Sequence, residues 1–291
     1  MARVDRIFNK GRRMRTDTLR AYLMLYVMGG MKKRRLGSLR HAQEVAHLER
    51  WLAVALGYLP QQASFGRGDR VRDALVERGA PTVEGLAAQG HAVMQHLGHH
   101  RYHVAGYSLG AVVAAGLAGL HPESVASATL IAGWMKTDAR QRCTFELWKR
   151  LIATDRELFM RYAYADGLTA AAHEMLEPML EMAISMGATT IAEGSAAHLD
   201  LDAVVDIAHL VATISAPTLV IGGAEDRWID VSHSHALAHA IPGSQLEVLP
   251  AGHLMISEQA AQIAACLLYT SPSLRDRTRS RMPSSAWKKK I

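Results

Sequence analysis

Gly106-Tyr107-Ser108-Leu109-Gly110 sets a serine between two glycines, after the apolar run Tyr102-His103-Val104-Ala105 and before the small-residue run Ala111-Val112-Val113-Ala114-Ala115-Gly116. This is the G-x-S-x-G pattern of a nucleophile elbow, in which a short strand turns sharply into a helix. The turn forces the serine into a strained backbone conformation. A side chain two residues to either side would collide with the neighbouring strand or helix, which accounts for the glycines. The hydroxyl is then lifted above the sheet edge, and helix-terminal N–H groups face whatever it attacks.

Attack by serine at neutral pH requires a base to accept its proton and a partner to fix the tautomer of that base. Two downstream loops supply both. Gly222-Gly223-Ala224-Glu225-Asp226 follows the apolar run Leu219-Val220-Ile221, and Gly252-His253 follows Leu246-Glu247-Val248-Leu249. The order Ser108, Asp226, His253 suits a parallel sheet in which these groups sit on loops at one edge. Glu225 and Asp230 compete with Asp226 for the carboxylate role. Glu225 should point away from its neighbour, and Asp230 lies a turn further on, where it would cap the next helix. His99, His100 and His103 invite a metal reading, but no carboxylate or cysteine cluster stands near them, so no metal is expected.

The elements that must position these residues are legible from about residue 81. Pro81-Thr82-Val83-Glu84 reads as a helix start with Thr82 as N-cap, and Gly98 reads as its end. The strand before Ser108 follows, then a helix to about Leu120. A second apolar run, Ala128-Thr129-Leu130-Ile131, reads as a parallel strand. From Trp134 the pattern becomes helical, over 145–152, 156–164, 169–186 and 201–211. Ala216-Pro217-Thr218 then leads back into the sheet. A helix over 233–241, a strand over 245–249 and a last helix over 257–268 complete the series. Alternating strands and helices with a helical insertion predict an α/β fold: a doubly wound, mostly parallel sheet with a lid over the strands' carboxyl edge.

Three regions are expected: an atypical basic segment over 1–80, a core over 81–268 with its lid at about 135–214, and a tail over 269–291. Residues 1–80 show no convincing pair of parallel strands. Cys266-Leu267-Leu268-Tyr269-Thr270-Ser271-Pro272-Ser273-Leu274-Arg275-Asp276-Arg277 resembles translated adaptor sequence, and the tail reads as disordered or artefactual. The net charge of +6 is unevenly spread: residues 1–80 carry 17 Lys/Arg against 7 Asp/Glu, and residues 81–269 carry 9 against 19. The basic ends contain no nucleic-acid-binding module and no interleaved aromatics, so no nucleic-acid partner is expected. Cys143 and Cys266 form no disulfide or zinc pattern. The apolar stretch 21–28 is too short to span a bilayer and is followed by Lys32-Lys33-Arg34-Arg35, not by a cleavage site. A cytoplasmic protein without a membrane partner is expected.

Residues 82–265 resemble the α/β-hydrolase superfamily on three features together: the Ser108 elbow, Ala216-Pro217-Thr218 leading to the Asp226 loop, and Gly252-His253. The resemblance implies Ser108 as nucleophile, His253 as general base and then acid, and Asp226 as the orienting carboxylate. It further implies the N–H of Leu109 as one oxyanion donor. The family's second donor usually lies in an early loop beginning His-Gly, and no such pair precedes residue 80. Gly66-Arg67-Gly68-Asp69 faintly resembles the glycine-rich loop that comes next in the family. The length of the insertion and Trp134 just after its strand resemble the enol-lactonase and small esterase branch. Tyr107, Trp134, Trp148, Met175 and Met179 are expected to line an apolar acyl pocket, with the methionines of the insertion as an adaptable ceiling. The implied function is a serine hydrolase cleaving small carboxylic esters or lactones through an acyl-enzyme, with no cofactor. An acyltransferase or a cofactor-free haloperoxidase shares the same machinery, and a protein lacking one oxyanion donor would be a non-catalytic hydrolase-fold chain.

Overall fold

The computed structural model of the chain describes residues 51–54, 80–96, 98–191 and 194–270. The stretch at 21–28, the Gly66–Asp69 region and the tail from 271 lie outside the described residues. Among the described residues, five parallel strands form one sheet in the order β1-β2-β3-β4-β5. They are β1 (Trp51–Val54), β2 (Tyr102–Tyr107), β3 (Val125–Ile131), β4 (Thr218–Gly223) and β5 (Gln245–Leu249). β1 is a single strand within residues 1–80, where no convincing pair of parallel strands is expected. It pairs with β2 in parallel, Val54 opposite Gly106.

Alternation along the strands explains why both faces of the sheet are covered. Val104, Leu130 and Val220 point into a core built with α1 (Val83–His96), α2 (Leu109–Leu120) and α9 (Val231–Ala240). Their neighbours Ala105, Ile131 and Ile221 point the other way, onto Ile263 and Leu267 of α11 (Ala260–Thr270). This is the doubly wound arrangement expected from continuous apolar strands. Thr82 does cap α1, its hydroxyl accepting the N–H of Gly85 at 3.0 Å. Leu267 is buried in the second core, so helix α11 runs through Cys266 to Thr270, into the stretch expected to be adaptor-like. Packing against β3 and β4, invisible to composition, holds that helix in place.

Between β3 and β4 the chain forms a helical insertion: α3 (Ala139–Thr154), α4 (Arg156–Gly167), α5 (Ala170–Leu176), a 3-10 turn (Glu177–Met179), α6 (Leu180–Ala188), α7 (Ser195–Asp202) and α8 (Ala208–Val211). The single helix expected over 169–186 is interrupted at Pro178, which lacks an N–H and crowds the preceding turn. The helix expected over 201–211 is likewise divided, because Asp206 leaves the helical path to bridge Lys136. Side-chain caps set the first three starts: Asp138 before α3, in a reciprocal capping box with Gln141, then Asp155 before α4 and Thr169 before α5. The short helix α10 (Met255–Glu258) follows β5. Among the described residues no helix is long and apolar enough to cross a membrane.

Candidate active site

Ser108 sits between the end of β2 and the start of α2 with φ 55° and ψ −123°, a conformation that few non-glycine residues adopt. Two constraints hold it there. Its N–H donates to the carbonyl of Ile131 on β3 at 2.9 Å, which anchors the elbow to the neighbouring strand. A Cβ placed on Gly106 would lie 2.0 Å from the carbonyl oxygen of Gly110, so strand and helix approach too closely there for any side chain. Leu109 opens α2, and its N–H, as the first of the helix, therefore has no intrahelical acceptor.

The three distant segments named from the sequence meet at the carboxyl edge of the sheet. His253 Nε2 lies 3.0 Å from Ser108 Oγ, and its Nδ1 lies 2.8 Å from Asp226 Oδ2. An acidic neighbour at Nδ1 assigns the proton there, leaving Nε2 to accept the serine hydroxyl. Asp226 is fixed in turn, because its Oδ1 accepts the N–H groups of Trp228 at 2.9 Å and Ile229 at 2.8 Å. The competitors fall away on position. Glu225 is exposed. Asp230 caps α9 by accepting the N–H of Ser232 at 2.9 Å. His100 and His103 engage Gln95 and Ser127 respectively.

The imidazole is enclosed, with His253 only 2% exposed. The Tyr107 ring lies 5.2 Å from it and the Trp228 ring 4.7 Å, centroid to centroid. The Tyr107 hydroxyl donates to the main-chain carbonyl of His253 at 2.6 Å. Burial above all, with the nearby Asp226 and Glu258 carboxylates, pushes its phenol well above the ordinary tyrosine range, so it remains a neutral donor. Tyr107, expected as a pocket residue, thus holds the base from behind.

The other expected pocket residues divide. Trp148 packs edge-on against Trp228 at 4.4 Å and against Phe145 at 5.5 Å, so it belongs to an aromatic cluster that reaches His253 through Trp228. Trp134 touches Phe145 at 5.8 Å, one layer further out, and its indole N–H donates to Thr137. Met175 and Met179 are 77% and 55% exposed. Apolar character at helical spacing suggests a pocket ceiling, but both side chains face solvent. Trp228, Phe145 and Glu258 escaped the sequence reading. Trp228 stands two residues after Asp226 and Glu258 five after His253, and only that closeness in sequence could have drawn attention to them.

β1 runs beside β2 with Val54 opposite Gly106, and residues 55–79 lie outside the described residues. The expectation about a second oxyanion donor falls in that segment. Among the described residues no group of three or more His, Cys, Asp or Glu could hold a metal ion.

Comparison with known proteins supports the fold. The profile of the alpha/beta hydrolase fold matches residues 62–260. Over 178 residues the chain is 29% identical to pyrrolizixenacetamide deacetylase of Xenorhabdus hominickii, a match covering 59% of this chain and 66% of that protein. The chain spans just under two thirds of the length of the curated relatives it matches first. In three dimensions it resembles the enol-lactonase of Burkholderia xenovorans LB400, with a TM-score of 0.60 and 21% identity over 67% of this chain and 75% of the other. It also resembles a thermophilic esterase of Thermogutta terrifontis, with a TM-score of 0.58 and 24% identity over 68% and 76% of the two chains. The profile spans more than half of the sequence and takes in Ser108, Asp226 and His253 together; the chain belongs to the alpha/beta hydrolase fold family.

Proposed function

We propose that this protein is a serine hydrolase that cleaves small carboxylic esters or lactones through an acyl-enzyme. The observation that carries the proposal is the unbroken chain from Ser108 Oγ through His253 to the buried carboxylate of Asp226, at 3.0 and 2.8 Å. As Ser108 Oγ attacks the carbonyl carbon, His253 Nε2 takes its proton, and Asp226 stabilises the imidazolium that forms. The N–H of Leu109 donates to the oxyanion of the tetrahedral adduct. Collapse of the adduct breaks the bond to the leaving oxygen, which receives the proton from His253. Water then repeats the sequence on the acyl-enzyme, with His253 as base, and releases the acid.

The enclosed aromatic cluster over His253 supports an apolar substrate of modest size. The name of the deacetylase relative favours a second reading within the same machinery, cleavage of a small acetamide, in which His253 protonates the departing amine. Comparing p-nitrophenyl acetate with an aryl acetamide separates the two. Measuring product partition among water, alcohol and peroxide separates hydrolysis from acyl transfer and perhydrolysis.

Ser108→Ala is expected to lower kcat for p-nitrophenyl acetate by at least about 10⁴-fold while the circular dichroism spectrum stays unchanged. A fluorophosphonate should label the wild-type protein at Ser108. Wild-type turnover in the Ser108→Ala variant would refute the proposal.

A further inference from the structure

The loop bearing His253 is tied at three consecutive residues to three different parts of the molecule. The N–H of Gly252 donates to Glu258 Oε1 at 3.0 Å. The carbonyl of His253 accepts the Tyr107 hydroxyl. The N–H of Leu254 donates to the carbonyl of Gly167, the last residue of α4 in the helical insertion, at 2.9 Å. The second oxygen of Glu258 reaches the same junction of the insertion, accepting the hydroxyl of Thr169 at 2.5 Å and its N–H at 3.3 Å. Thr169 in turn caps α5 by accepting the N–H of Ala172 at 3.2 Å. There is no slack at this contact, because a Cβ on Gly252 would lie 2.4 Å from the carbonyl oxygen of Gly167.

We infer that Glu258 is a positioning residue for His253, joining the α4–α5 junction of the insertion to the loop that carries the base, so that the imidazole is aligned on Ser108 only while the insertion is seated. The inference rests on the reading of Ser108, His253 and Asp226 as the reacting groups. A carboxylate is the group suited to this position. It offers only acceptors, and the three neighbours Gly252 N–H, Thr169 N–H and Thr169 O–H all donate. Glutamine would keep the size but turn an NH₂ toward one of those donors. The imidazole stands one residue from the tie to Gly252, and a shift of the order of an ångström at a proton-transferring group costs about 100-fold in rate.

The test is steady-state hydrolysis of p-nitrophenyl acetate by the full chain carrying Glu258→Gln, Thr169→Val or Thr169→Ser, with Ser108→Ala and fluorophosphonate labelling of the wild type in parallel. Glu258→Gln and Thr169→Val are expected to lower kcat by about 10- to 100-fold with KM changed less than about threefold. Thr169→Ser keeps both the cap and the donor and should restore kcat to within about threefold of wild type. The double variant Glu258→Gln/Thr169→Val should be no slower than the worse single one, because both cut the same tie. Wild-type kcat in both single variants, with only the melting temperature lowered, would overturn the inference, as would failure of both to fold or a loss equal in Thr169→Ser and Thr169→Val. If Ser108→Ala remained active and no label appeared at Ser108, the underlying reading would fall instead.

Discussion

Ser108 is held at a positive φ that a serine would not choose, and the energy of that conformation, of the order of 1–3 kcal/mol, is met by the surrounding sheet. Its partners are aligned by similarly local means. Asp226 spends one oxygen on two N–H groups of its own turn and the other on His253. Asp226→Asn keeps the shape of this arrangement but offers an amide N–H where the imidazole needs an acceptor. It is expected to lower kcat by about 10³- to 10⁴-fold with little change in KM. Kinetics at saturating ester would check this, and an unchanged kcat would exclude Asp226 as the orienting group. The residues that complete the enclosure, Tyr107 and Trp228, each follow or precede a reacting residue closely in the chain. Their roles come from where their rings and polar atoms land around His253, which residue type does not specify.

At the level of elements, the crossing of β2 and α2 at the elbow is the tightest contact near the site. Gly106→Ala would drive a methyl group into the backbone of Gly110, and neither partner is a flexible side chain that could yield. The melting temperature is expected to fall by about 10 °C or more, a change that differential scanning fluorimetry would detect. A variant as stable as wild type would mean that the elbow relaxes. The strands and the helices flanking them were readable because a parallel strand buried on both faces is a short continuous apolar run, and the helices between such strands keep a 3.6-residue period. The insertion was less legible. Pro178 and the Lys136–Asp206 bridge divide what periodicity presents as two continuous helices.

At the scale of the whole molecule, Asp202, at the end of α7, is expected to make stability depend on pH. Its carboxyl is buried, its Oδ1 has no hydrogen-bond partner, and desolvation pushes it well above the ordinary aspartate range. A carboxyl raised in the folded state binds its proton there more tightly than in the unfolded chain. Its contribution is therefore fully present below the unfolded value of about 3.9 and is lost as pH rises from there toward the folded value. Asp202→Asn removes this dependence. Its advantage over wild type in thermal melts is expected to be small near pH 4 and to grow with pH, by up to about 1.4 kcal/mol per unit, until the folded carboxyl ionises. A difference independent of pH would show that Asp202 is ionised in the folded protein. The insertion that contains Asp202 also presents Met175, Met179, Met182 and Met186 to solvent.

The sequence alone determined the nucleophile elbow, the order Ser108, Asp226, His253, and the strand–helix alternation that brings all three to one edge of a parallel sheet. Those features are written in short stretches, where a glycine spacing or an apolar run has only one economical backbone solution. The tertiary structure alone decided which aromatic side chains enclose His253, that Tyr107 and Glu258 hold the loop carrying it, that Met175 and Met179 face outward, and that α11 continues to Thr270. Each of these depends on contacts between segments far apart in the chain, and the approach of two such segments leaves no periodic trace in either one.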